Sequence, residues 1–564
     1  MKKLKKIPKR LKVFSIAIAL AVISFASIGF VDNYFEITKN LDIFYTLFEE
    51  LNIYYVDDTD PGELIKKGID EMLESLDPYT VYIPESEMED HRFMITGQYG
   101  GIGALIRKKE DNVIIAEPYE GFPAQKADLM AGDILLEVNG KRLNGKNTSE
   151  VSEILKGQPG TTVKMLIERE GEKDPIEKIL VREDIKIESV PYYGMLTENI
   201  GYIKLRNYTN KASSEVKKSL QSLKEENDIR SLVLDVRDNP GGLLREAVNI
   251  VNLFVEKGQE IVSTKGKLKE WDKTHKGINI PVDIEIPLVV LVNRSSASAS
   301  EIVAGSIQDL DRGVIIGQKT FGKGLVQQTR QLSYNAQLKV TTAKYYIPSG
   351  RCIQALDYTH RDEDGSVGEI PDSLISEFKT KNGRLVYDGG GIIPDIQLED
   401  KKQSNITKSL SSKYLIFDYA TKYRSEHPTI PPPKEFEVSD ADYNEFVAFL
   451  ADKDYDYTTK SERKIKELKE AAIKEKYFED AEQEYESLKK KINHSKEDDL
   501  KKFKDEIMRS LESEIVTRYF FQKGRIEVLL KKDPEIKKAV EVLNDSALYA
   551  SILDGSAKLI EEQE

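Results

Sequence analysis

The apolar run Pro287-Leu-Val-Val-Leu-Val292 stops at a serine-rich turn, Asn293-Arg-Ser-Ser-Ala-Ser-Ala-Ser-Glu301, and a helix-like stretch follows from Ala299 to Leu310. A buried strand, a tight turn and a helix start in immediate succession point to an α/β layered core. The same succession presents a hydroxyl beside the unpaired N–H groups of a first helical turn, as a hydrolase requires. Further on, Thr320-Phe-Gly-Lys-Gly324 sets a lysine between two glycines. Ser298 and Lys323 together offer a nucleophile and a base without histidine, provided burial keeps the amine neutral. Each also has an ordinary reading. Ser298-x-x-Glu301 is a capping-box pattern, and an isolated lysine is usually a solvated surface group.

The surroundings repeat the strand–helix alternation. Gly201–Leu205 and Ser231–Asp235 read as strands with a helix at Ala212–Glu225 between them. A helix at Leu243–Val255 precedes the serine turn, and strands at Gly313–Gly317 and Leu338–Ile347 follow it. The chain of 564 residues is too long for a single core. Its net charge of −14 argues against a nucleic-acid binder. The lone Cys352 excludes an intrachain disulfide, and no cysteine or histidine cluster has metal spacing, so neither metal nor cofactor is expected. His91, His275, His360, His427 and His494 are scattered and no G-x-S-x-G elbow occurs, which leaves a Ser-His-Asp protease poorly supported.

The first 12 residues carry seven lysines and arginines, and Val13 to Val31 follows without a charge. This pattern implies export to the periplasmic side of everything after Asp32, with residues 13–31 either a cleaved signal or an inner-membrane anchor. Residues 33–95 read as a helical arm. Leu41, Phe44, Leu47, Phe48 and Leu51 form one face, and Pro61 to Leu76 forms a second helix that stops at Asp77-Pro78. From 96 to 185 short strands and glycine turns take over. Gly100-Gly-Ile-Gly-Ala104 precedes strands at Leu105–Lys108 and Val113–Ala116, and Ala131-Gly-Asp-Ile-Leu-Leu-Glu-Val-Asn-Gly140 supplies a strand and turn. Residues 399–564 are rich in lysine and glutamate with long helical periodicity, read as solvated helix faces.

Segment 96–185 resembles a PDZ domain, which implies that the amides of Ile102, Gly103 and Ala104 hold a peptide's terminal carboxylate while the peptide adds to a sheet edge. The motifs SASASEIVAGSIQD (Ser296–Asp309), TFGKGLVQ (Thr320–Gln327), LDVRDNPGG (Leu234–Gly242), LDPYT (Leu76–Thr80) and GGGIIPD (Gly389–Asp395) stand in the order found in the carboxyl-terminal processing peptidases, or tail-specific proteases. The chain resembles that family over most of its length. The resemblance implies a crotonase-like α/β protease core at 186–398, with helical N- and C-terminal segments around it and the PDZ domain. It makes Ser298 the nucleophile, Lys323 the base and Gln327 the residue that orients the lysine. It draws the oxyanion hole from the Ala299 amide and a glycine amide at Gly241 or Gly242. An extended segment from Lys323 would put Lys323, Leu325 and Gln327 on one face, and Gly322 and Gly324 would let the backbone approach the serine. Many relatives carry arginine where this chain has Lys156, a point charge in place of a planar fork. The partners expected are protein substrates with free C-terminal tails and further copies of the chain, the arm helping subunits associate. The C-terminal extension would serve packing, oligomerisation or an adaptor. The alternative from another class is a catalytically silent PDZ scaffold.

Overall fold

The computed structural model describes residues 34–361, 365–399, 402–492 and 496–557. The basic flank and the uncharged run 13–31, read above as a signal or anchor, lie outside them. Among the described residues no helix is long and apolar enough to cross a membrane.

The chain divides into two compact units at Tyr82 and Ile83. In the first, residues 34–54 are helical and their apolar side chains Leu41, Phe44 and Leu47 are exposed. Pro61–Glu74 is the second helix. Proline stands in its first turn, and Asp60 caps it by accepting from the Gly62 and Glu63 amides at 2.8 and 3.0 Å. The Leu-Asp-Pro-Tyr-Thr motif is an Asx turn, since the Asp77 carboxylate takes the Tyr79 and Thr80 amides, each at 2.8 Å. The helix Met88–Thr96, read from the sequence as part of the arm, belongs to the second unit.

In the second unit a small antiparallel sheet runs in the order Ala104–Lys109, Asn112–Pro118, Ile134–Val138, Thr162–Glu168, Ile176–Val181. Its core is Val113, Ile115, Leu135, Val138, Val163, Met165 and Ile167, closed by Val151 and Leu155 of the helix Thr148–Leu155. Ala104–Lys109 is an edge strand beside that helix, with no strand paired on its outer side. The Lys108 carbonyl there is taken by the Tyr414 hydroxyl at 2.9 Å, which leaves the Ala104 end of the row for an added strand. Lys156 pairs with Asp90. The guanidinium that the turn lacks at 156 arrives from elsewhere. Arg182 donates to the carbonyls of Leu155 and Ile154 at 2.9 and 2.8 Å and to the Thr161 hydroxyl at 2.9 Å.

The α/β core is a sheet ordered Tyr192–Met195, Ile200–Lys204, Ser231–Asp235, Leu288–Val292, Val314–Gly317, Ile396–Gln397. The first pair is antiparallel and the others parallel. Parallel strands must be covered on both faces, and period-two alternation assigns their side chains. Leu232, Leu234, Leu288, Val290 and Val292 face the helices Ala212–Asn227, Leu244–Val251 and Ala299–Asp309. Val233, Val289, Leu291, Val314 and Ile316 face Ile536, Ala539, Val542 and Ile552 of the helices Pro534–Asn544 and Ser546–Asp554. The last two helices therefore complete the core sheet. Solvated faces do occur in the extension, on Lys460–Glu475 and Phe478–Ile492. A second, antiparallel sheet joins Leu325–Gln331 to Gln337–Tyr346, which pairs in turn with Glu260–Gly266 and then Lys273–Lys276.

Candidate active site

Three loops meet at the carboxyl ends of three neighbouring parallel strands: 236–243, 293–298 and 318–324. Ligand sites of open α/β sheets form at such ends. Every catalytic and oxyanion candidate read from the sequence except Gln327 and Ala299 lies on one of these loops, and those two are the next elements' early residues.

Ser298 precedes the helix Ala299–Asp309 with φ 55° and ψ −110°. This is a sparsely populated conformation for a side-chain-bearing residue, costing about 1–3 kcal/mol, and it persists only where surroundings over-determine it. The neighbouring serines supply part of that support. Ser296 donates to the Val236 carbonyl at 2.8 Å and Ser300 to the Asn239 carbonyl at 3.0 Å, both fully buried. Ser298 is half-buried. Both hydroxyls are thereby spent on holding the turn.

Glu301 supplies the rest. Its Oε2 accepts from the Ser298 amide at 2.7 Å, the capping contact anticipated above, and also from the Lys323 amide at 2.9 Å. Its Oε1 accepts from the Thr320 hydroxyl at 2.6 Å and the Gly322 amide at 2.7 Å. Burial pushes its pKa up to about 7 against these four donors. Tyr345, also buried, donates to the Lys323 carbonyl at 2.7 Å and lies 3.1 Å from the Ser298 carbonyl. Neither Glu301 as a clamp nor Tyr345 was found by sequence reasoning. The only signal was the capping box, which accounts for one of the four contacts.

Two expectations about the lysine loop change. Gly322 and Gly324 do not make room for the serine. A Cβ on Gly322 would meet the Ala355 Cβ at 2.4 Å, and one on Gly324 would meet the Gln354 amide nitrogen at 2.8 Å. The glycines let the loop pass the segment Gln354–Ala355. Nor does one extended face carry Lys323, Leu325 and Gln327. The strand begins at Leu325, and an irregularity between Val326 and Gln327 shifts the register from Ala343 to Thr341. Lys323 is half-buried in the loop before it, and Gln327 donates to the Thr341 hydroxyl at 3.1 Å.

The two glycines of the 239–242 turn differ. Gly241 (φ +100°) is tight against the Ser298 turn, where a Cβ would stand 2.8 Å from the Ala297 oxygen, 2.9 Å from the Ser298 Cβ and 3.0 Å from the Ala299 nitrogen. Its own amide donates to Asn239 Oδ1 at 3.0 Å. Gly242 packs on Tyr208 in a parallel bridge that uses the Gly241 carbonyl and the Leu243 amide and leaves the Gly242 amide out. Ala299 is the first helical residue, a position whose N–H has no intrahelical partner.

The Asp and Arg of Leu234-Asp-Val-Arg237 brace this loop. Asp235 is buried and takes the Arg237 guanidinium, the Tyr202 hydroxyl at 2.7 Å and Lys204 at 3.1 Å. Burial alone would raise its pKa, but Arg237 and Lys204 hold it well below the usual carboxylate range. Arg237 also pairs with Asp533 and Glu535, tying the loop to the start of the helix Pro534–Asn544.

In the PDZ segment, Gly103 has φ +74°, and a Cβ there would meet the Phe122 Cβ at 2.5 Å. The Ile102 and Gly103 carbonyls turn into the domain, accepting from the Ala124 and Tyr119 amides, each at 2.8 Å. Among the described residues no group of three or more His, Cys, Asp or Glu side chains could hold a metal ion.

Residues 199–360 match the model of peptidase family S41, 114–169 a PDZ domain, and 406–543 the family described as "Probable PDZ-protease, C-terminal helical domain". Over 325 residues the chain is 38% identical to a carboxy-terminal-processing protease of Bartonella bacilliformis, spanning 57% of this chain and 74% of that protein. It is 35% identical over 319 residues to a protein of Staphylococcus aureus described as a "Probable CtpA-like serine protease", spanning 56% of this chain and 63% of that one. A solved structure of a photosystem II D1 C-terminal processing protease is 26% identical, covering 63% of this chain and 92% of that one with a TM-score of 0.35.

Proposed function

We propose, from the premise that this chain belongs to peptidase family S41 and is a carboxy-terminal-processing serine protease, that Ser298 is its nucleophile and Lys323 its general base. The observation that carries this reading is the shared carboxylate oxygen, Glu301 Oε2, which accepts the backbone amides of both residues. One atom thereby holds together two loops that are separate in sequence.

Lysine near its ordinary pKa of about 10.4 is protonated at neutral pH, so the base role requires the Lys323 amine to be neutral when substrate is bound. Ser298 Oγ then attacks the scissile carbonyl carbon while its proton passes to Lys323 Nζ. The oxyanion is held by the Ala299 amide at the helix start and by the Gly242 amide, with Gly241 supplying the close approach of the two loops. The C–N bond breaks as the lysine returns the proton to the leaving amine. Water, deprotonated by the same lysine, releases the acyl group and regenerates Ser298. Gln327, its amide NH2 engaged by Thr341, keeps the orienting role that the family resemblance implies, with its carbonyl oxygen as the acceptor for the lysine amine.

Tails reach this site through the PDZ domain. The inward carbonyls of Ile102 and Gly103 favour a loop that offers the amides of Ile102, Gly103 and Ala104 to a terminal carboxylate. The open edge of Ala104–Lys109 favours addition of the tail as a strand. Export rests on the sequence of residues 1–31 alone, and the arm and the C-terminal extension are the segments for self-association or an adaptor. Ser298→Ala and Lys323→Ala should each abolish cleavage of an unfolded protein and keep binding of its tail. Undiminished cleavage by either purified variant would exclude the dyad.

A further inference from the structure

Ser298 and Lys323 are bound to each other through both polar groups of their backbones. Their N–H groups converge on Glu301 Oε2 at 2.7 and 2.9 Å. Their carbonyls converge on the Tyr345 hydroxyl at 3.1 and 2.7 Å, where one proton is shared between two acceptors. The two anchors come from different elements. Glu301 lies in the helix Ala299–Asp309, and Tyr345 in the strand Gln337–Tyr346, which is paired on both sides. A third tie, the Thr320 hydroxyl, donates to Glu301 Oε1 and accepts the Ile392 amide at 2.7 Å, bringing in the Gly389–Asp395 motif.

Neither anchor can reach a substrate. Glu301 has no exposed surface and Tyr345 has 1%. Their contacts fall on the backbones of the candidate nucleophile and base, and the nucleophile's backbone is the one held in a strained conformation. A carboxylate is the side chain suited to accept four donors at once, and a phenol is a donor that reaches two carbonyls from a rigid ring.

We propose that Glu301 and Tyr345 are positioning residues of the dyad, a carboxylate–phenol clamp that fixes the separation of Ser298 and Lys323 and holds the strained serine turn. The proposal rests on the reading of those two residues as nucleophile and base. Burial keeps the Tyr345 phenol well above its ordinary pKa, so the donor persists at working pH.

The decisive variant is Tyr345→Phe, which removes one hydroxyl and keeps the ring in the core. Steady-state cleavage of an unfolded protein with a free C-terminus is measured beside tail-peptide affinity by fluorescence anisotropy and the melting temperature, for wild type, Y345F, E301Q and S298A. A displacement of about 1 Å costs roughly a hundredfold in rate. Y345F should therefore lower kcat by about ten- to a hundredfold, with KM and tail affinity within twofold of wild type. E301Q should lose more, because an amide NH2 must face two of the four donors; if E301Q does not fold, Y345F decides alone. An inactive S298A beside a Y345F whose kcat is within twofold of wild type would overturn the clamp and leave the dyad standing. Loss in Y345F that falls on KM or tail affinity instead of kcat would also overturn it. Full activity in S298A would remove the dyad and the clamp with it.

Discussion

Replacing Gly241 by alanine tests whether the nucleophile turn depends on close packing against the 239–242 loop. Two costs arise. The first is the backbone: at φ +100° an L side chain is disfavoured by about 1–2 kcal/mol. The second is contact. The new Cβ would lie 2.8 Å from the Ala297 oxygen, 2.9 Å from the Ser298 Cβ and 3.0 Å from the Ala299 nitrogen. Ordinary contacts are about 3.5 Å, so the serine turn must retreat by roughly half an ångström. The three atoms belong to the proposed nucleophile, its predecessor and a proposed oxyanion donor, and none is the tip of a flexible side chain that could swing away. At about a hundredfold per ångström, kcat should fall on the order of tenfold. Gly258 separates the two costs. It has φ +94° with nothing within 4 Å of a Cβ, so Gly258→Ala carries the backbone strain without the collision. Both variants should melt below wild type, and only G241A should lose kcat in a steady-state cleavage assay. Equal kcat in the two variants, or wild-type kcat in G241A, would refute the argument.

Other consequences follow from burial and topology. Burial raises the Glu301 pKa from 4.5 to about 7 even against its four donors, so ionising it into the four-acceptor form costs the fold stability that is fully present below about pH 4.5 and is lost as pH rises from there through about 7. The difference corresponds to about 3 kcal/mol by linkage, so urea unfolding at pH 5 and pH 8 should show a stability drop in wild type that is smaller by that amount in Glu301→Gln. A chain ending before Pro534 leaves Val233, Val289, Leu291, Val314 and Ile316 uncovered. At about 1.5–3 kcal/mol per buried aliphatic side chain, it should aggregate or lose near-UV circular dichroism, whereas a fully folded truncated chain would contradict the two-faced sheet. Amidation of a substrate's C-terminus should raise KM about tenfold or more with little change in kcat, while equal cleavage of free and amidated substrates would remove the carboxylate loop from recognition.

The core was legible where local pattern and tertiary role agree. The strand Leu288–Val292 and the helix after Ser298 follow from a β-branched run, a serine turn and an uninterrupted helical segment, and the structure ends that helix one residue earlier than expected, at Asp309. The clamp was not legible, because three of the four donors to Glu301 come from Thr320, Gly322 and Lys323 on another loop. A capping box identifies only the local partner. Tyr345 reads as one more aromatic in a strand, and its hydroxyl acquires a role only when two distant carbonyls converge on it. The helices Pro534–Asn544 and Ser546–Asp554 were hidden by composition. Ile536, Ala539 and Val542 have helical spacing, but the lysines and glutamates between them suggest a solvated face until the sheet they cover is known. Arg182 was missed for a related reason: the sequence shows that Lys156 cannot form a planar fork, and only the fold shows which chain segment supplies one.

The most direct measurement is acid quench of the protein during turnover of an activated peptide ester, followed by peptide mapping of the acyl adduct. One acyl group should be found on Ser298, appearing in a burst, absent from Ser298→Ala and slowed by orders of magnitude in Lys323→Ala. An adduct on Ser295, Ser296 or Ser300, or steady turnover by S298A with no adduct at all, would contradict the assignment of the nucleophile.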